Sequence, residues 1–112
     1  MKKEIRVYLE DVFESVGKIE EYTKGVVLEE FKSNTECQDA VMRRLEIIGE
    51  AVKNLPNDLK EKYPGTPWKQ IAGMRDILIH EYAGVSLERV WKVIINDLQP
   101  LKNAVSRILS DL

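Results

Sequence analysis

Apolar residues recur at intervals of three and four along most of the chain, and this spacing places side chains on one face of an α-helix. No stretch alternates with the period of two that marks a half-buried strand. The expected fold is therefore all-α, an antiparallel bundle of four to five helices that forms a single domain over residues 1–112. The predicted long helices cover residues 3–23, 35–55, 67–82 and 87–109, and shorter helical stretches cover residues 26–31 and 57–63.

Turn-forming and capping residues separate these segments. Gly25 and Pro56 are placed to end the first two long helices. The polar residues 33–35 and Ser86 are suited to cap the helices that follow them. Pro100 is expected to bend or break the last helix, which then continues over residues 101–109.

Gly49 falls in the middle of the second long helix. Glycine there is about 0.5 to 1 kcal/mol less favourable than alanine. We therefore interpret Gly49 as a point where a second helix crosses closely.

The central helix, residues 67–82, carries an arginine where its pattern favours an apolar residue. At about 100° per residue, Arg75 projects from near the middle of a broad apolar arc. An arc of this kind faces a core or a partner, and an unpaired guanidinium there would be costly. We expect Arg75 to be paired or to serve a function. The arc consists of Trp68, Ile71, Ala72, Met74, Leu78, Ile79 and Tyr82.

His80 is the only histidine of the chain and projects roughly 140° away from Arg75. It shares its side of the helix with Asp76, one turn earlier, where a carboxylate and an imidazole can meet. A histidine alone in such a place is most often a cap or a solvated residue. Together with Arg75 it favours phosphodiester chemistry. An imidazole can take a proton from a 2′-hydroxyl or give one to a leaving oxygen, and a guanidinium can stabilise charge on phosphorus.

The side chains of Arg75 and His80 point in different directions from one helix. A single copy therefore could not easily contact one phosphate from both sides. Two copies packed by their apolar arcs across a two-fold axis would bring paired Arg75 and His80 residues around a shared groove. We therefore expect a homodimer. Tyr82 projects about 20° from Arg75 after two turns. On physical grounds its hydroxyl lies either beside this groove or in solvent at the end of the helix.

The amino-acid composition and net charge limit the kinds of protein that this chain can be. The 112 residues are 44% hydrophobic and 32% charged, which is typical of one globular domain and excludes a disordered tail or a fibrous repeat. The net charge of −2 means that any RNA site must be local. Cys37 is the only cysteine, and we interpret it as a structural residue in a reducing compartment. The chain has no secretory pattern and no membrane-length apolar run, so we expect a cytoplasmic protein.

Other candidate sites are weaker. A di-metal bundle needs Glu-x-x-His pairs on facing helices, which this sequence lacks, and we expect neither a metal nor another cofactor. Arg43 and Arg44 could contact an RNA backbone, although a solvated helix face is the simpler interpretation. Trp68 and Trp91 occupy core-like helical positions, so packing is favoured over base stacking.

The spacing Arg75-x4-His80-x-Tyr82 resembles the R-x4-H-x-Y signature of the HEPN-domain ribonuclease toxins, specifically the HepT-like branch of small stand-alone proteins. The resemblance covers most of the chain. Residues 44–52 and 67–76, and the segment over residues 85–101, are similar to that branch in content and order.

This resemblance implies an all-helical homodimer with a metal-independent RNase site at the dimer seam. Arg75 and His80 would be the catalytic pair, cutting RNA through attack of the 2′-hydroxyl, and Asp76 would orient His80. The resemblance also implies a partner, a minimal nucleotidyltransferase antitoxin of a type VII-like toxin–antitoxin system. That enzyme would inactivate the toxin by transferring AMP to Tyr82, where a bulky anionic group would block phosphate entry.

Two other function classes stay open on the sequence. The chain could be a non-catalytic helical subunit that positions a nucleotidyltransferase, and RNase activity that is lost in His80→Ala would exclude this. It could instead be a nucleotide-binding interaction module. Saturable nucleotide binding without RNA cleavage would favour that class.

Overall fold

The structure is a computed structural model that describes residues 2–80 and 84–112. Over these residues it is all-α, which confirms the predicted fold class, and it contains seven helices and no strand. No helix in these ranges is both long enough and apolar enough to cross a membrane. The helices are α1 (Lys2–Thr23), α2 (Leu28–Ser33), α3 (Thr35–Lys53), α4 (Asn57–Glu61), α5 (Trp68–His80), α6 (Leu87–Asn96) and α7 (Leu98–Asp111).

Helix α3 lies at the centre of the bundle and packs along both α1 and α5. Helix α7 packs against α1 and α6, and the short α2 contacts α3 and α6. The predicted apolar faces meet in one core, in which each fully buried Leu, Ile or Val side chain contributes about 1.5 to 3 kcal/mol. The buried residues of α1, α3 and α5 in this core include Leu9, Val12, Val16, Ile19, Val41, Leu45, Ile48, Val52, Ile71, Met74 and Leu78.

Three of the predicted helix signals act as expected. Gly25 follows α1 with a φ of 72°, in the left-handed region that favours glycine. The side chain of Asn34 caps α3 by accepting a hydrogen bond of 3.0 Å from the backbone N–H of Cys37. Ser86 caps α6 in the same way, accepting from the N–H of Arg89 at 3.3 Å. These bonds satisfy amide groups that have no partner inside their own helices.

The predicted break at Pro100 is wrong in position. The last helix is interrupted at Asp97, between α6 and α7, and Pro100 is the third residue of α7. Proline is tolerated in the first turn of a helix because an amide N–H there has no intrahelical acceptor. The next residue, Leu101, already donates its N–H to the carbonyl oxygen of Asp97 at 3.2 Å.

Both tryptophans pack as predicted. The indole Nε1 of Trp68 donates to the carbonyl oxygens of Lys60 and Tyr63, each at 3.1 Å, and so ties α5 to the segment before it. The ring of Trp91 lies against Phe31, with centroids 5.2 Å apart. These contacts fix α5 and α6 relative to the rest of the bundle.

Candidate functional site

Gly49 sets the separation of α3 and α5 at the level of Arg75. A Cβ atom added to Gly49 would overlap the Cβ of Arg75 and would lie 3.3 Å from the carbonyl oxygen of Ile71. The absence of a side chain therefore lets the backbones of the two helices approach. This geometry confirms the predicted close crossing, and it places Arg75 directly against α3.

The guanidinium group of Arg75 is paired, as expected for an arginine within an apolar arc. Its Nε lies 2.6 Å from Oε2 of Glu50 on α3, and its Nη1 lies 3.2 Å from Oδ1 of Asp76. The side chain of Arg75 is only 26% exposed, so these charge-assisted contacts are shielded on one side by the bundle. Any anion that binds Arg75 must share its N–H donors with two carboxylates.

The carboxylate of Asp76 lies towards α3. Its Oδ1 is 3.5 Å from Nζ of Lys53, in addition to its contact with Arg75. Lys53, with help from Arg75, holds the pKa of Asp76 below its usual value. Within residues 2–80 and 84–112, no hydrogen bond or ion pair joins Asp76 to His80. The orienting role of Asp76 for His80 stays a prediction.

His80 is the last residue of α5, and its side chain is exposed. His80 lies five positions after Arg75 in continuous helix, which corresponds to a rotation of roughly 140°. One protomer therefore presents Arg75 and His80 on different sides of α5. Tyr82 lies outside the described residues, and its position beside Arg75 stays a prediction.

A groove of about 330 Å³ runs over α3 between α1 and α5 and reaches Arg75. We call it the Arg75 groove. Its charged lining residues are Asp11, Arg43, Glu46, Glu50 and Arg75, three acidic and two basic. The groove is thus formally negative, and Arg43 is itself 3.6 Å from Glu46. The solvated interpretation of Arg43 fits this exposed ion pair better than a bound RNA backbone does.

Sequence reasoning missed Glu50 and Lys53 as partners of Arg75 and Asp76. Both are exposed residues of α3, and a polar position of one helix does not indicate which helix it contacts. The position of Glu50 directly after Gly49 is the sequence feature that could have identified it as a partner of Arg75. A glycine that permits a helix crossing puts the next residue within reach of the crossing helix.

Comparison with known proteins identifies the family to which this chain is similar. Residues 12–108 match the family model described as ribonuclease HepT-like. The chain is 47% identical over its full 112 residues to a protein of Methanocaldococcus jannaschii named gamma-glutamylcyclotransferase and putative RNase, and it spans 50% of that protein's length.

Other relatives are matched over nearly their whole length. The identity is 44% to the probable ribonuclease HepT of Thermococcus cleftensis, covering 96% of this chain and 98% of the relative. It is 45% to a putative RNase of Caldanaerobacter subterraneus subsp. tengcongensis, covering 93% of each. No solved structure matches the chain.

Proposed function

This chain belongs to the HepT-like ribonuclease family, and on that premise we propose that it is an endoribonuclease that cuts RNA without a metal ion. The proposal rests on the placement of Arg75. It is held at the crossing of α3 and α5, and part of its guanidinium is free to bind a ligand. In the described part of the chain only Nε and Nη1 of Arg75 have partners. The remaining N–H donors are suited to a phosphate.

The proposed reaction is an internal transfer at phosphorus. The 2′-oxygen attacks the adjacent phosphorus, and the bond from phosphorus to the 5′-oxygen of the next nucleotide breaks. One His80 takes the proton of the 2′-hydroxyl, and the His80 of a second copy gives a proton to the leaving 5′-oxygen. Arg75 stabilises the added negative charge on the phosphorus oxygens, and Asp76 orients His80. The products end in a 2′,3′-cyclic phosphate and a 5′-hydroxyl.

Cleavage of a mixed RNA pool in EDTA by the wild type and by His80→Ala tests this proposal. We expect the wild type to leave 2′,3′-cyclic phosphate ends and the variant to lose about 100- to 10,000-fold in rate, as for removal of a general acid or base. His80 is exposed, so the variant should melt at the wild-type temperature. Well-folded wild-type dimer that leaves RNA intact would contradict the proposal and favour the scaffold or nucleotide-binding classes.

A homodimer is part of the proposal, because His80 and Arg75 of one copy face different ways. The surface beside Arg75 supports it, since Ile79 lines the Arg75 groove and is 47% exposed. This leaves Ile79 free to contact an apolar surface of another molecule beside the groove. In a two-fold dimer this surface would meet its own copy.

Ile79→Glu is expected to convert the dimer to a monomer and to abolish cleavage with it. Two glutamates facing each other across a two-fold axis would repel and would lose their hydration. The measurement is light scattering during gel filtration. Ile95→Glu is the matched control, because Ile95 is 59% exposed on α6 and does not line the Arg75 groove. A dimer that persists in Ile79→Glu would place the contact elsewhere.

We also propose that a minimal nucleotidyltransferase antitoxin controls this activity by transferring AMP to Tyr82, as in a type VII-like toxin–antitoxin pair. The adduct would add negative charge near Arg75 and compete with RNA phosphate. Incubation with such an enzyme and ATP should join the α-phosphorus of ATP to the Tyr82 oxygen and release pyrophosphate. The wild type should gain the mass of AMP less one water, and Tyr82→Phe should stay unmodified. Modification of Tyr82→Phe to the same extent would contradict this part of the proposal.

A further inference from the structure

A second groove, of about 480 Å³, separates α5 from α6 and differs in charge from the Arg75 groove. Its charged lining residues are Lys69 on α5, Arg89 and Lys92 on α6, and Asp97. Counted over the described residues, three cations and one carboxylate make it formally positive, in a chain whose net charge is −2. We call it the α5–α6 groove. Positive charge is therefore concentrated beside the helix that carries His80.

The three cations of this groove are available to an anion. Lys69, Arg89 and Lys92 are exposed, and none of them forms an ion pair with another residue of the described ranges. Four other lysines of the described ranges form ion pairs, among them Lys102 with Glu20 at 2.8 Å. The hydrogen bond from Lys32 lowers the pKa of the Glu88 carboxyl, and Lys92 adds to this only through its charge at longer range.

The backbone of α5 is open to this groove at Gly73. A Cβ atom added there would meet no atom within 4 Å, so the groove has free space at its floor. Among the residues that the structure describes, none that lines the groove is aromatic. A ligand would therefore be held by its charges and not by stacked rings.

The α5–α6 groove lies on the side of α5 from which His80 projects. Lys69 and Gly73 both line the groove, and on a regular helix His80 points within about 20° of each of them. His80 lies eleven positions after Lys69, which is about 16 Å along the helix axis. An extended polyanion lying in the groove would reach His80 at the end of α5.

We propose that the α5–α6 groove binds the sugar–phosphate backbone of an RNA strand and leads it to His80. This inference rests on the proposed function for the identity of the polymer. Because the described lining of the groove offers cations and no aromatic side chain, it captures RNA mainly through phosphates. Arg75, which faces the negatively charged groove, then meets only the phosphate that reacts.

The test measures binding apart from cleavage. The probe is a short fluorescein-labelled 2′-O-methyl oligouridylate, whose blocked 2′-oxygen cannot attack, and the readout is fluorescence anisotropy over a range of salt concentrations. We expect the triple variant Lys69→Ala, Arg89→Ala, Lys92→Ala to bind at least about tenfold more weakly at low salt. The slope of log K against log salt should fall in magnitude by about 2, since each lost contact on a single strand removes about 0.7.

The matched control removes the same charges elsewhere. The triple variant Lys24→Ala, Lys62→Ala, Arg107→Ala changes two lysines and one arginine, all exposed and none lining the α5–α6 groove. It is expected to retain nearly wild-type affinity. Equal weakening by both triple variants would show only a general charge effect and would overturn the proposal.

Gly73→Leu is an independent variant that fills the groove without changing charge. The open space around Gly73 and the high helix propensity of leucine predict that this variant folds. It should weaken binding of the probe by about the same factor as the groove triple variant. Wild-type affinity in both would overturn the proposal, as would binding of polyglutamate to the groove as tightly as RNA. A chain that binds the probe through this groove and cleaves no RNA would refute the ribonuclease proposal alone.

Discussion

Arg75→Ala is expected to lower the rate of RNA cleavage by about 100- to 1,000-fold, the usual cost of removing one group that stabilises charge in a transition state. The loss should appear mainly in kcat, because Arg75 acts on the charge that develops on the phosphorus oxygens. Initial rates on a fluorogenic RNA over a range of substrate concentrations, in EDTA, measure it. The α5–α6 groove is unchanged, so affinity for the uncleavable probe should stay near the wild-type value.

The fold should tolerate this change. Glu50 keeps 53% of its side chain exposed, so water replaces the guanidinium as its partner, and Asp76 keeps Lys53. Arg75→Lys is the informative control, since lysine retains the charge but not the planar set of donors. It should fall between the wild type and alanine. Undiminished cleavage in a stable Arg75→Ala dimer would make Arg75 a structural residue of the helix crossing.

The architecture could be predicted from the sequence because each long helix carries a recognisable apolar stripe. Periodicity reports where a side chain points on its own helix, and this was enough to find Gly49 as a crossing point and Ser86 as a cap. The helix break was placed at Pro100 because a proline interrupts the hydrophobic pattern in the same way whether it breaks a helix or lies in its first turn. Only the hydrogen bonds around Asp97 distinguish the two cases.

The partners of the site residues could not be predicted in the same way. Asp76 and His80 are one turn apart, which favours a contact of a few tenths of a kcal/mol at an exposed position. The spacing along α5 gives no sign of a partner on another helix. Lys53 on α3 lies 3.5 Å from Asp76 in this fold, because the crossing at Gly49 brings α3 and α5 together. A pattern along one helix carries no information about which residues of the next helix it meets.

Gly49→Ala is expected to destabilise the protein, although alanine is the better helix former. The new methyl group would overlap the Cβ of Arg75, and both atoms are rigidly attached to helix backbones, so α3 and α5 must separate. Overpacking of this kind costs about 1 to 3 kcal/mol, against a gain in helix propensity of only about 0.5 to 1 kcal/mol. Urea denaturation measures the net loss. Cleavage should fall as well, because α5 carries Arg75 and His80 with it.

Gly17→Ala supplies a control of opposite sign, because Gly17 also lies mid-helix but a Cβ there would meet no atom within 4 Å. Because only helix propensity changes, this variant should be more stable than the wild type by about 0.5 to 1 kcal/mol. The two substitutions share the same chemistry, so a difference in sign isolates the contact between α3 and α5. If Gly49→Ala were stabilising to the same degree, the crossing would not constrain Arg75, and its position would have to depend on the ion pair with Glu50.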